Sequence, residues 1–475
     1  MVEVYEFWTI IVSLVVVKLC HWIYKWRNPT SNGKLPPGSM GFPIIGETLE
    51  FMKPHDAFQL PTFLTTKILR YGPVFRTSLF GAKVIISADM GLNMEIAKTN
   101  HVPGTPKSLA RLFGENNLFL QSRDSHKHVR RVTAQMLGSQ GLKLRMMKDI
   151  DILARTHMEV GSKNGGLDVK ETTSKIVIEC LAKKVMGNME ADAAKELTHC
   201  WKCFPKGWFR FSWNIPGNGV YRMLKARKQM MNLLKETVLK KRALGEEFGE
   251  FFKIIGGSET MSIEEAIEYI FIFFLIGYET TPGALAATIK LINDNPKVKQ
   301  ELQREHERIV RYKTEKDEAN LTWEDYKSMT FTHMVINESL RISATAPTML
   351  RMVDHEFHVG DYTIPAGWIF MGLPSVHFNP EKYEDPLAFN PWRWEGKDLS
   401  VLLSRNYMPF GAGSRLCVGA EFSKLQMAIF IHHLCRYRWS MKTETTVLRR
   451  FILMFPGGSD VQISEATEVE NSAGY

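Results

Sequence analysis

Cysteine is scarce in this chain: six residues in 475, at positions 20, 180, 200, 203, 417 and 435. So few and so scattered, they exclude a disulfide framework and read as thiols facing a reducing compartment. Paired-cysteine zinc spacing is missing, and so is a glycine-rich loop of the phosphate-cradling kind. Internal repeats and low-complexity tracts are missing too. Basic residues outnumber acidic ones, 60 to 51, for a formal charge of +9. That balance suits nucleic acid, an anionic membrane or an acidic partner alike. It is not gathered into a nucleic-acid stripe. What the chain has is apolar material: 44% hydrophobic and 11% aromatic, against 23% charged. This is enough for a large core and excludes disorder, collagen-like and coiled-coil chains. Length alone suggests about three domains, a prior that large single-core enzymes break.

Residues 7–17 form an apolar run, interrupted by Lys18 and continued to Trp26. The stretch is long enough to span a bilayer, with Lys18 snorkelling and Trp22, Tyr24 and Trp26 at headgroup depth. Lys25, Arg27 and Lys34 follow it, so the positive-inside rule keeps the body on the cytosolic side. A cleaved signal peptide is the rival reading, but neither its positive leading region nor its small-residue cleavage site is visible. The expected organisation is a transmembrane anchor over 1–27, a linker and proline-rich strap over 28–46, and a catalytic domain over 47–475. Pro36, Pro37, Gly38, Gly41 and Pro43 make the strap stiff and irregular.

In the body, residues 74–79 and 83–88 read as a hairpin. Helical periodicity covers 126–158, 166–187, 219–243, 262–293, 296–312 and 327–341. A second strand-rich patch spans 349–372, with Asp361 to Gly367 as its turn. The expected fold class is α+β, mainly α with a small segregated β-sheet region. Ser262 and Glu265 make a capping box for the 262–293 helix. Its run from Tyr269 to Gly277 is apolar all round, the mark of a helix buried on every side. An acid, two threonines and Pro282 in its middle require an explanation.

Phe410, Gly413, Arg415, Cys417 and Gly419 complete the pattern Phe-x-x-Gly-x-Arg-x-Cys-x-Gly. A chance match in this chain is on the order of one in ten thousand. Here the chain resembles the cytochrome P-450 family of haem-thiolate monooxygenases. A thiolate ligand needs an exposed loop with backbone amides aimed at sulfur, and the glycines supply both. Thiolate ligation pushes electron density onto iron and favours O–O cleavage. The resemblance implies the cytochrome P-450 fold in a single catalytic domain. It implies haem b held through Cys417, with Arg415 on a propionate and Phe410, Gly411 and Gly419 shaping the loop. A buried structural thiol is the alternative for Cys417, and fits Cys435 better.

Other segments match family motifs in the right order. Ile276 to Thr281 resembles the distal-helix motif, which implies proton relay by Glu279 and Thr280, and room for substrate beside Gly277. Ile276 replaces the usual small residue and is expected to narrow the pocket. Pro282 removes the helical hydrogen bond to the Tyr278 carbonyl. Glu338 and Arg341 share a face at i,i+3 spacing, and with Arg393 they resemble the triad that supports the cysteine loop. Arg130 and Arg351 match propionate partners. His126 stands where the family often has tryptophan, and either donates a hydrogen bond there or faces solvent. Phe273, Ile276, Gly277, Ala346 and Met349 are the expected pocket lining.

Cys200 and Cys203 have redox spacing without a βαβ context and are expected to pack. His432 and His433 are expected to face opposite ways on an amphipathic helix. Lys127, His128, Arg131, Arg405 and Lys424 form a candidate docking face for an acidic electron donor. The likeness is to the branch that oxidises plant steroids and triterpenoids. It implies a membrane-bound enzyme of the endoplasmic reticulum, single-pass. That enzyme would hydroxylate an apolar polycycle, a thalianol-like triterpenoid or a steroid. Dioxygen and an NADPH-dependent flavoprotein reductase carrying FAD and FMN would be its partners. Two other classes stay open: a haem-thiolate isomerase or dehydratase needing no dioxygen, and a non-catalytic membrane haem- or lipid-binding protein. The retained acid–threonine pair argues against both. Segments 101–122, 200–220 and 455–460 are rich in Phe, Trp, Leu and Pro, and either line the pocket or belong to the core.

Overall fold

The structure is a computed structural model and describes residues 2–99, 114, 123–187, 196–197, 199–201, 216–249, 252–253, 262–345, 348–399, 402, 406–442, 445–450 and 452–465. Its larger helices, in chain order, are α1 (Val2–Arg27), α2 (Thr48–Phe51), α3 (Thr62–Tyr71), α4 (Met90–Lys98), α5 (Arg123–Leu137), α6 (Met147–Lys163) and α7 (Val169–Met186). They continue as α8 (Gly219–Leu244), α9 (Ile263–Asn293), α10 (Pro296–Glu315), α11 (Trp323–Ser328), α12 (Thr330–Ser343) and α13 (Ala420–Cys435). The main core lies where α9 meets α7, α12 and α13, with Phe271, Phe274, Leu285, Ile336 and Phe430 deep inside it.

Sequence periodicity placed α8, α9 and α10 closely, and two expected helices divide. The 126–158 segment breaks at Gly138, whose backbone turns extended, and resumes through a π-helical turn, Leu142–Met146. A Cβ on Gly138 would lie 2.5 Å from the Ala134 carbonyl oxygen, so the break requires glycine. The 327–341 segment divides at Met329 into α11 and α12, and Glu305 of α10 accepts from the backbone N–H groups of Phe331 and Thr332 at the start of α12. The capping box of Ser262 and Glu265 is present.

Strands occupy the flanks. Taken in chain order they are β1 (His55–Asp56), β2 (Val74–Leu79), β3 (Ala82–Ser87), β4 (Gly166–Asp168), β5 (Met349–Met352), β6 (Phe357–Val359), β7 (Tyr362–Ile364) and β8 (Ile369–Gly372). The last four are β9 (Tyr437–Met441), β10 (Leu448–Arg449), β11 (Leu453–Met454) and β12 (Asp460–Glu465). The hairpin β2–β3 joins β8 and β5 in the order β2-β3-β8-β5, with β3 and β8 parallel. The segment expected as one turn, 361–367, instead holds strand β7. Its hairpin with β6 turns at Gly360 and Asp361, because the positive φ of Gly360 closes that turn. A second sheet, β4-β12-β9, and the small β1-β10-β11 sheet escaped the sequence reading. Their strands are two to six residues long and carry too little alternation to stand out.

The proline-rich strap touches the first sheet through bridges from Gly38 to Arg76 and from Gly46 to Leu79. In α1 the side chains of Phe7, Trp8, Ile10, Val12, Leu14, Val15, Val16, Val17 and Leu19 are exposed. By length and composition α9 would be apolar enough to cross a membrane, but it is mostly buried in the protein.

Candidate functional site

The loop before α13 presents Cys417. Its backbone N–H donates to the Phe410 carbonyl at 2.9 Å, closing the loop on itself. Gly411 and Gly413 sit at φ +74° and +69°. A Cβ on Gly413 would lie 1.9 Å from the Ala97 carbonyl oxygen, so α4 presses directly on this turn. Gly419 passes beside the sulfur, where an added Cβ would stand 3.9 Å from Sγ. Cys417 is exposed. Surrounding protein raises its thiol above the ordinary value, while the Gly419 backbone hydrogen bond and the Arg130 charge pull it down.

Three guanidiniums converge near this loop. Arg130, on α5, donates to the Leu416 carbonyl. Arg351, on β5, is 6% exposed and donates to the Leu350 carbonyl. Burial and the like charge of Arg415 push Arg351 down to about 10. Burial and the charge of Arg130 lower Arg415 in turn. Among the described residues, neither Arg130 nor Arg351 has a carboxylate within ion-pair distance. Arg130 and Arg351, held near the like charge of Arg415 with no such carboxylate, fit a bound dianion. A sulfur ligand beside such a cluster suits an iron porphyrin with two propionates, so the donor set passes the test for haem. The side chain of His126 lies outside the described residues.

The acid and both threonines lie on α9. Thr280 donates to the Ile276 carbonyl at 2.9 Å, and Thr281 to Ser423 at 3.1 Å. Glu279 is 4% exposed and turns sideways to α7, where Lys170 meets Oε2 at 2.8 Å. Its Oε1 is buried with no hydrogen-bond partner. Acid and alcohol therefore leave the helix in different directions, about 100° apart. The Tyr278 carbonyl freed by Pro282 accepts from Ser174 of α7 at 3.1 Å.

Phe273 and Ile276 are half-buried on the Thr280 face. Gly277, also expected in the pocket lining, is half-buried and faces α7. A Cβ there would meet Val177 and Leu181 at 3.1 Å, so this glycine allows α7 to approach α9 closely. Met349 packs in a second apolar cluster with Phe370, Met408 and Ala412, and Ala346 lies outside the described residues.

Glu338 is the centre of a buried hydrogen-bonded cluster. Arg341 grips both its oxygens at 2.9 Å, Arg393 donates to Oε1 at 2.9 Å, and Trp394 Nε1 donates to Oε2 at 2.9 Å. Both Glu338 and Arg341 are fully buried, where breaking one partner is far costlier than at the surface. Sequence reasoning found the triad and missed Trp394, whose indole completes the shell.

Several expectations settle elsewhere. Cys200 and Trp201 are buried, which is the expected packing; Cys203 lies outside the described residues. His432 and His433 are both buried, against the expected opposite facing: His432 meets His306 and His433 meets Asp151 at 2.7 Å. Polar partners on α10 and α6 make burial possible for both. Lys127 and Arg131 are exposed, His128 is half-buried, and Arg405 lies outside the described residues. Burial lowers the Lys424 ammonium, which stands 5.8 Å above the Phe410 ring.

The model of the family described as Cytochrome P450 matches residues 36–458. Cytochrome P450 708A2 of Arabidopsis thaliana is 37% identical, the match covering 97% of this chain and 98% of that protein. Cucurbitadienol 11-hydroxylase of Siraitia grosvenorii is 35% identical, covering 96% and 99%. The solved structure of retinoic acid bound cyanobacterial CYP120A1 aligns with a TM-score of 0.78 at 21% identity, over 92% of this chain and 100% of that one, a likeness of fold.

Proposed function

Because the chain belongs to the cytochrome P450 family, in its plant steroid and triterpenoid branch, we propose that it hydroxylates an apolar polycycle, a triterpenoid in first place and a steroid otherwise. Membership makes it a monooxygenase that uses haem b with a cysteine thiolate on iron, a redox partner, dioxygen and a lipophilic substrate. In this reading Cys417 is the thiolate ligand, and Arg130, Arg351 and Arg415 hold the haem carboxylates. Glu338, Arg341 and Arg393 keep the loop in place. The observation that carries the assignment is the glycine-shaped Cys417 loop lying beside the guanidiniums of Arg130 and Arg351, neither of which has a carboxylate within ion-pair distance among the described residues.

When bound, haem with its thiolate supplies dioxygen activation and insertion of one oxygen atom into a C–H bond. The protein supplies the rest. Phe273 and Ile276 cover the hydrocarbon and exclude water. Lys170 fixes Oε2 of Glu279, which leaves the buried Oε1 to accept a hydrogen bond from a relay water. Thr280 Oγ1, on the pocket face, orients such a water towards the reaction centre. An NADPH-dependent flavoprotein reductase is the proposed electron donor, docking on Lys127 and Arg131. The exposed apolar side chains of α1, followed by Lys25 and Arg27, support a single-pass anchor in the endoplasmic reticulum membrane with the body cytosolic.

The test is expression of the full chain with such a reductase in a triterpene-producing host, followed by mass spectrometry. The expected product gains one oxygen atom, and Cys417→Ala abolishes both it and the red-shifted ferrous carbon-monoxide band. Protein that stays colourless with added haem, or binds it through nitrogen alone, overturns the assignment.

A further inference from the structure

Two opposite faces of α9 do different work. Phe271, Phe274 and Tyr278 surround Trp201, stacked at 5.6 Å, edge-on at 6.3 Å and stacked at 6.1 Å. At 100° per residue these three lie on one side of the helix. Tyr269, Phe273, Ile276 and Thr280 follow one another at spacings of four, three and four, and share the opposite side. The last three are the half-buried residues of the proposed pocket. Tyr269 is 3% exposed, and its hydroxyl has no hydrogen-bond partner among the described residues. Burial pushes this phenol upward, with the Glu265 charge adding to the shift and that of Arg415 opposing it, so it stays protonated and able to donate. An unpartnered buried hydroxyl is unfavourable, and phenylalanine would fill the same space without it.

We propose that the Tyr269 hydroxyl hydrogen-bonds an oxygen on the substrate. Tyr269 then anchors the oxygenated end of the polycycle about 16 Å along the helix from Thr280. Phe273 and Ile276 lie against the hydrocarbon between, and hydroxylation falls at the end remote from the existing oxygen. Tyr269 is thus a specificity-determining residue. The inference rests on the hydroxylase reading above and adds to it the polarity and orientation of the substrate.

The experiment uses the full-length haem-loaded chain and two probes. One is cucurbitadienol, the alcohol in the name of one relative; the other is the hydrocarbon lacking its hydroxyl. Titration follows the spin-state change of the haem band. The wild type is expected to bind the alcohol about fivefold tighter than the hydrocarbon, as one net hydrogen bond allows. Tyr269→Phe should bind both at the hydrocarbon level and give a mixture of regioisomers. Its thermal midpoint without ligand should stay equal or rise, because an unpartnered polar group has gone. A fallen midpoint would assign the hydroxyl to a protein partner and overturn the proposal. Equal weakening of both probes would assign it to a haem carboxylate and overturn it too. An unchanged alcohol preference in Tyr269→Phe overturns it while leaving the hydroxylase reading intact. A wild type that binds neither probe and oxidises no polycycle removes both. Tyr269→Met, which also lacks the hydroxyl, guards against an effect of ring packing in the first variant.

Discussion

Lowering the pH from 7.5 to 5 should destabilise the fold steeply through three buried histidines. Both nitrogens of His377 are committed: Nε2 accepts from the Met408 N–H at 3.0 Å, and Nδ1–H donates to the Arg341 carbonyl at 3.1 Å. His306 and His432 face each other Nδ1 to Nδ1 at 3.1 Å, a contact that one shared proton satisfies and two disrupt. Burial pushes His306 and His377 down to about 3, aided by the charges of His433 and Arg341 respectively; burial also takes His432 well below its ordinary value. In the unfolded chain all three titrate near 6.5. The unfolded state therefore binds more protons below that value, and stability is lost as the pH falls from 6.5 towards 3. At pH 5 His306 and His377 each contribute about 2 kcal/mol of loss, about 4 for the two, with a limiting slope of about 3 kcal/mol per pH unit, and His432 adds to it in the same direction. That is a large part of the stability of many domains. Urea unfolding of the full chain across this range measures the slope, and His377→Gln should lower it by one proton. A slope of one proton or less in the wild type refutes the reasoning.

Gly413→Ala should displace the cysteine loop, since its Cβ overlaps the Ala97 carbonyl at an unfavourable positive φ. A loss of about 2 kcal/mol or more, with reduced haem retention, is expected in thermal melts. Ser174→Ala removes the hydroxyl that reaches the Tyr278 and Lys170 carbonyls beside Pro282 and should cost about 1 kcal/mol in urea unfolding. Thr280→Ala should leave haem binding unchanged, lower product per NADPH consumed and raise peroxide; normal coupling in that variant removes Thr280 from proton delivery. Glu338→Gln should cost about 3 kcal/mol or more by leaving Arg341 and Arg393 under-compensated in the interior, seen as poor recovery of folded holoprotein.

The parts legible in the sequence are those where chemistry restricts residue type. Cys417 with its glycines, the Glu338–Arg341 pair and the apolar run of α9 each carry their signature locally. The illegible parts are contacts between distant segments. Nothing near Gly277 announces that Val177 and Leu181 will lie against it, and nothing near Pro282 names Ser174 as the donor for the carbonyl it frees. His432 and His433 read as an amphipathic pair because their partners, His306 and Asp151, are 126 and 282 residues away. Glu279 and Thr280 read as a unit, yet one residue of helix rotation sends the acid to Lys170 and the alcohol to the face of Phe273 and Ile276.

In the β4-β12-β9 sheet the strand in the middle is translated last. β4 and β9 leave the ribosome with hydrogen-bonding edges that have nothing to close on until residues 460–465 emerge. At 5–20 residues per second, β4 waits for roughly fifteen seconds or more. A nascent chain stalled before residue 460 would carry two open edges, an invitation to chaperones and to aggregation alike. The pace of translation late in the message would then govern how much folded enzyme a cell obtains.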